Sequence, residues 1–130
     1  MKKNLSILFV VLLSLSLLLT ACGGSSDSGP VAIGDLPVPD GATQSSDEAL
    51  QAAMQTMVGS VPLKNTQGVA LDVPADTTWD TVKSFYSTQL ESNGWTASEG
   101  GDGSQAWTRG NQMLVVNLSS GGLILILGEQ

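Results

Sequence analysis

The 130-residue chain has no histidine, a single cysteine and only five lysines and arginines. Without histidine it lacks the commonest general base and the commonest metal ligand, so imidazole-based chemistry is excluded. One cysteine cannot close a disulfide within the chain. Five cations against 12 carboxylates give a formal net charge of −7, and no basic patch is available to neutralise phosphates, which excludes nucleic acid as a partner. Aromatic residues make up 5% of the chain, so each tryptophan and the lone tyrosine mark places where a core is expected.

What is present begins with an address. Lys2 and Lys3 precede an apolar run from Leu5 to Leu19, which leads into small residues and the only cysteine. A positive start, an apolar stretch of roughly 7 to 15 residues and a small-residue cleavage site make a secretory signal. A membrane-spanning helix needs about 20 apolar residues, and Ser14, Ser16 and the polar break at Gly23 oppose one. Leu19-Thr20-Ala21-Cys22 resembles the bacterial lipobox at every position. That resemblance implies a lipid-modified Cys22, cleavage just before it and an acylated new terminus, leaving residues 1–21 as signal peptide. Each buried methylene contributes about 0.8 kcal/mol, and two or more acyl chains anchor stably where one does not. The expected location is the extracytoplasmic face of a bacterial membrane, either the cell membrane or an outer membrane. With Cys22 acylated, no thiolate site remains.

Removing residues 1–21 leaves three cations (Lys64, Lys83, Arg109) against 12 carboxylates, a formal charge of 3 − 12 = −9. Gly23-Gly24-Ser25-Ser26-Asp27-Ser28-Gly29 has the composition of a flexible spacer with no apolar surface to bury. Residues 22–35 are expected to be a tether and 36–130 a single domain, with Pro39-Asp40-Gly41 as an early turn.

Two helices are expected. Leu50, Ala53, Met54, Met57 and Val58 recur at the spacing of one apolar helical stripe over about 46–58. Ser45 with Glu48 has the pattern of a capping box, and Gly59 follows the last apolar position. From Thr77 to Trp95, Thr77 or Thr78 can cap a helix whose apolar face is Trp79, Val82, Phe85, Tyr86 and Leu90. That helix should stop at Asn93-Gly94, with Gly94 left-handed and Trp95 folding back on Leu90.

Val82, Phe85-Tyr86, Leu90 and Gly94-Trp95 form a pattern, V-x-x-F-Y-x-x-x-L-x-x-x-G-W. It resembles small bacterial lipoproteins of uncharacterised function, in which such a helix precedes antiparallel strands. The likeness spans roughly residues 68–127. It implies a fold and a habitat and carries over no catalytic residue.

Strand signals occupy about 68–73, 95–99, 105–109, 112–118 and 122–127, separated by Gly-rich turns. The expected fold class is therefore α+β: a small antiparallel sheet of about four to five strands packed with two amphipathic helices, after a signal peptide and flexible tether. A two-residue turn at Gly110-Asn111 sets Trp107 opposite Leu114 and places Trp107, Leu114, Val116 and Leu118 on one face. Leu123, Leu125 and Leu127 align with that face, and Ile124 and Ile126 with the other. The run Leu123 to Leu127 has no polar alternation, so both its sides must be covered, with the first helix expected over the Ile side.

Three groups of residues have spacings that chemistry could use. Lys83 and Ser87 are spaced i, i+4 on the second helix, as a Ser/Lys nucleophile pair would be, but off its apolar stripe. Asp72, Asp76 and Asp80 could gather as oxygen ligands for calcium, although capping and dipole compensation account for the last two. Gly100-Gly101-Asp102-Gly103 lacks a phosphate-loop lysine and reads as a hairpin turn. No catalytic, cofactor or metal residues are assigned. The functional expectation is a lipid-anchored envelope protein that acts as a non-enzymatic binding or interaction module. Its partners would be the membrane, through the acyl chains, and an envelope protein. An envelope enzyme or ligand-binding subunit, or a structural accessory of a membrane complex, are the alternatives.

Overall fold

The structure is a computed structural model that describes residues 30–130. Residues 1–29, on which the expected signal peptide, the expected lipidation of Cys22 and most of the expected tether fall, lie outside the described residues. Pairing follows the expected turns. β3 (Thr96–Gly101), β4 (Ser104–Arg109), β5 (Gln112–Ser119) and β6 (Gly122–Glu129) form an antiparallel meander through two-residue connections. Gly103 at φ +77 and Gly110 at φ +61 take conformations that branched residues avoid. Trp107 pairs with Leu114, Leu114 with Leu127 and Val116 with Leu125, as the alternation requires.

The sheet has six strands rather than four to five. β2 (Lys64–Asp72) lies beside β6, and a two-residue edge strand, β1 (Thr43–Gln44), pairs with the end of β2. The order is β1-β2-β6-β5-β4-β3. Thr43–Gln44 carries no periodicity because both residues are exposed, so the sequence gives no pattern to read there. β2 begins four residues before the expected Gly68. Its first residues are irregular, with a register shift between Lys64 and Gln67 and Asn65 at φ +49.

α1 (Glu48–Ser60) covers one face of the sheet. Its Leu50 and Met54 pack with Ala70, Ile124 and Ile126, and with the half-buried Met57, Val58 and Val115. The N-cap is Asp47, whose carboxylate accepts from the Leu50 N–H at 2.9 Å. Ser45 is not the cap: it is buried and accepts from the Asp47 N–H. Gly59 lies inside the helix, and Ala53, expected on the stripe, is exposed. Gly68 makes the close approach possible, since a Cβ there would lie 2.8 Å from Val58 Cγ2.

α2 (Trp79–Glu91) covers the other face. Thr78 caps it, accepting from the Thr81 N–H at 3.3 Å. At its far end the Trp95 N–H donates to the Leu90 carbonyl at 3.0 Å and the Gly94 N–H to the Glu91 carbonyl at 3.2 Å, with Gly94 at φ +84. This is a Schellman closure, and it folds Trp95 back onto Leu90 as the sequence requires. The α2 side holds the larger core, in which Val82, Tyr86 and Leu90 meet Trp107, Leu114, Val116 and the three leucines of β6.

Candidate functional site

The site is built where the chain enters the domain. Packing begins at Val31 rather than at Leu36. Val31 and Ile33 lie against the large core, a 3-10 turn spans Ile33–Asp35, and Leu36 is buried. This strap, residues 30–37, is held at both ends. The Gln112 side chain grips Val31 at two points: the Val31 N–H donates to Oε1 at 2.8 Å and Gln112 Nε2 donates to the Val31 carbonyl at 2.9 Å. The amide thus stands in for a strand partner and satisfies both backbone groups of one residue. Six residues on, the Tyr86 hydroxyl donates to the Pro37 carbonyl at 3.0 Å.

A half-open pocket of about 380 Å³ lies between the strap, the end of α2 with the Trp95 that follows it, and Arg109 at the end of β4. Val31, Leu36, Pro37, Leu90 and Trp95 supply apolar wall, and Asp35, Asn93 and Arg109 supply polar groups. Its size and mixed lining fall within the range of small-molecule sites. On the other side of the strap a smaller depression of about 170 Å³ is lined by Asn65, Gln67, Gln112 and Glu129, among others. The strap therefore forms a shared wall between the two.

Burial sets the chemistry available here. Desolvation pushes the Tyr86 hydroxyl far above its ordinary range, so it stays a neutral donor to Pro37. Its ring packs edge-on against Phe85, with centroids 5.1 Å apart, and 6.1 Å from Trp107. The Trp107 indole N–H is buried without a partner among the described residues, a cost of about 1 to 3 kcal/mol that its packing must offset. The pocket lining holds no hydroxyl, thiol or amine nucleophile, and its arrangement suits recognition of a ligand with an apolar body and a polar end.

The residues weighed from sequence lie elsewhere. Lys83 is exposed and Ser87 half-buried on α2. Asp72, Asp76 and Asp80 are all exposed, and among the described residues no group of three or more acids is placed to hold a metal ion. The hairpin turn is Asp102-Gly103, while Gly100 and Gly101 belong to β3. Sequence reasoning missed Gln112 and the strap. The available signal was a polar residue in phase with Leu114 and Val116 on the core face, two residues before Leu114. Gln105, buried on that face, is a second such case: its amide donates to the Ser98 carbonyl across the β3 irregularity. Comparisons of the chain with protein-family models, with curated proteins and with solved structures find no match.

Proposed function

We propose that this chain is a lipid-anchored cell-envelope protein that serves as a non-enzymatic binding module, with Cys22 as the lipid attachment site and the strap pocket as its binding site. The observation that carries the binding reading is the pocket of about 380 Å³, walled by Leu36, Leu90 and Trp95 and edged by Asp35, Asn93 and Arg109. The anchoring reading is supported by the basic start, the apolar run and the lipobox-like Leu19-Thr20-Ala21-Cys22. The expected habitat is the extracytoplasmic face of a bacterial membrane, where an envelope protein or a small amphipathic molecule would be the ligand. A purely structural accessory docked through an apolar patch is less supported, because Val38 is the single large apolar side chain exposed among the described residues.

The test is affinity capture from detergent-solubilised membranes with the tagged protein and with Asn93→Trp, whose indole would fill the pocket mouth. The reading predicts a ligand or partner recovered by the parent protein and lost from the variant. Recovery of nothing, or of the same molecules by both, sinks it. Intact mass of the purified protein checks Cys22 separately: a mature mass without acyl chains defeats the anchor.

A further inference from the structure

The strap decides which end of the domain faces its tether. Because Gln112 pins Val31 at the start of β5, the chain enters the domain beside the starts of β2 and β5 and the ends of β6 and β4. The register sets a row of residues across that pole: Lys64 opposite Glu129, Glu129 opposite Gln112, and Gln112 opposite Arg109. Two of the three cations among the described residues stand in this row, with Glu129 in it and Asp35 and Glu91 close by, so this pole is nearly balanced in charge.

The other pole is far more acidic. β2 ends there at Asp72, both helices start there, and so does the β3–β4 turn. It carries Asp47, Glu48, Asp72, Asp76, Asp80 and Asp102, and Lys83, one turn into α2, is the nearest cation along the chain. The helix N-termini offset part of this charge, about half an elementary charge each, and leave the pole strongly negative.

We propose that the domain rides with its strap pole against the bilayer that carries Cys22 and its acidic pole turned away, the bilayer surface being the partner that the strap pole fits. This rests on the lipid-anchored reading above. Pro30 follows Cys22 by eight residues, which reach at most about 28 Å when fully extended and about 15 Å as a flexible coil. An eight-residue strand such as β5 is itself about 27 Å long. The acidic pole can therefore touch the membrane only on a fully stretched tether, and there it would meet repulsion from anionic headgroups within a Debye length of about 8 Å. The strap pole needs no stretching and is the less repelled of the two, since Lys64 and Arg109 nearly offset Asp35, Glu91 and Glu129 there. The pocket lined by the strap, Trp95 and Arg109 then lies at the membrane end of the domain.

The experiment uses the full acylated protein in vesicles of phosphatidylcholine and phosphatidylglycerol. A fluorophore is attached at Asn111→Cys on the strap pole or at Asp102→Cys on the acidic pole, both exposed positions, and quenched by a headgroup-level lipid quencher. Quenching at position 111 should exceed that at 102 several-fold. Equal quenching at both, or more at 102, in protein that floats with the vesicles overturns the orientation. Failure to float defeats the anchor instead, so the two failures are distinct. Lys64→Glu should lower the ratio on these vesicles and leave it unchanged on phosphatidylcholine alone; an unchanged ratio on both would overturn the electrostatic contribution.

Discussion

The two faces of the sheet are built from the same strands and differ in what covers them. β6 contributes Leu123, Leu125 and Leu127 to one side and Ile124 and Ile126 to the other, all nearly inaccessible to solvent. On the leucine side α2, Trp95 and Leu36 close over all the central strands, and the core takes in Tyr86 and Trp107. On the isoleucine side α1 lies mainly over β2 and β6, with Val115 of β5 at its margin, while Thr108 of β4 and Asn117 of β5 stay half-buried. β6 is covered on both faces along its length, whereas β5 is fully covered only on the leucine side, and this difference explains why β6 reads as a continuous apolar run while β5 alternates.

If α1 truly seals the second face, the largest effect comes from charging it. Ile124→Lys should lose several kcal/mol in urea unfolding, because an ammonium placed between α1 and the sheet has no partner to offset its desolvation. A soluble variant of equal stability would show that α1 does not cover this face. The next contrast is between the helices. Leu90→Ala and Leu50→Ala both remove a buried leucine, 2% and 3% exposed, and each should cost about 2 to 5 kcal/mol. Leu90 belongs to the larger core and is hemmed in by Trp95 and Trp107, where collapse around a cavity is harder, so its loss should be the greater. Equal losses would mean that the narrow face is as rigid as the wide one.

Much of this contrast was legible from residue order. The period-2 alternation from Trp107 to Leu118, together with the Gly110-Asn111 turn, fixes register and face at once, because a slip of one residue would turn every leucine to solvent. Gly94 and Trp95 announce the end of α2 because only a left-handed residue lets the chain reverse there. The illegible parts are those in which burial came from tertiary context without periodicity. Thr43–Gln44 pairs in the sheet with two exposed residues. Ser45 and Asp47 both suit a cap, and only the backbone path between β1 and α1 selects Asp47. The strap residues Val31 and Ile33 sit among Gly, Pro and Asp, a composition that suggests a tether until Gln112 is seen to hold it. The candidate pocket was unreadable for the same reason, since Asp35, Asn93 and Arg109 are brought together by three separate elements.

A smaller effect isolates the strap from the faces it borders. Gln112→Ala deletes both hydrogen bonds to Val31 and leaves its backbone N–H and carbonyl to part-time solvent. The expected cost is about 1 to 2 kcal/mol, with faster amide exchange at residues 31–36. Beginning the chain at Leu36 should cost at least as much, since it also removes Val31 and Ile33 from the large core. If neither change moves the unfolding midpoint, the strap does not contribute to the wide face, and the contrast between the faces narrows to the helices alone.

The last difference is silent at neutral pH and belongs only to the wide face. Tyr86 is the single tyrosine in the chain, so the tyrosinate absorbance reports this one group. Desolvation raises its pKa in the folded protein, whereas in the unfolded chain it returns to about 10. The folded state therefore holds the proton more tightly. That contribution to stability is complete below about pH 10, declines as pH rises above that unfolded value and is lost as pH passes the folded one. Raising the pH should thus leave Tyr86 protonated through the range where a free tyrosine ionises, and tyrosinate should appear together with loss of structure followed by circular dichroism. Tyr86→Phe removes the titration and the bond to Pro37 but keeps the ring packed on Trp107, so the alkaline limit of stability should move upward even if the neutral-pH midpoint falls by about 1 kcal/mol. An ordinary tyrosine titration in the intact protein would mean that water reaches the hydroxyl beneath the strap, and the wide face would then be no better sealed at that edge than the narrow one.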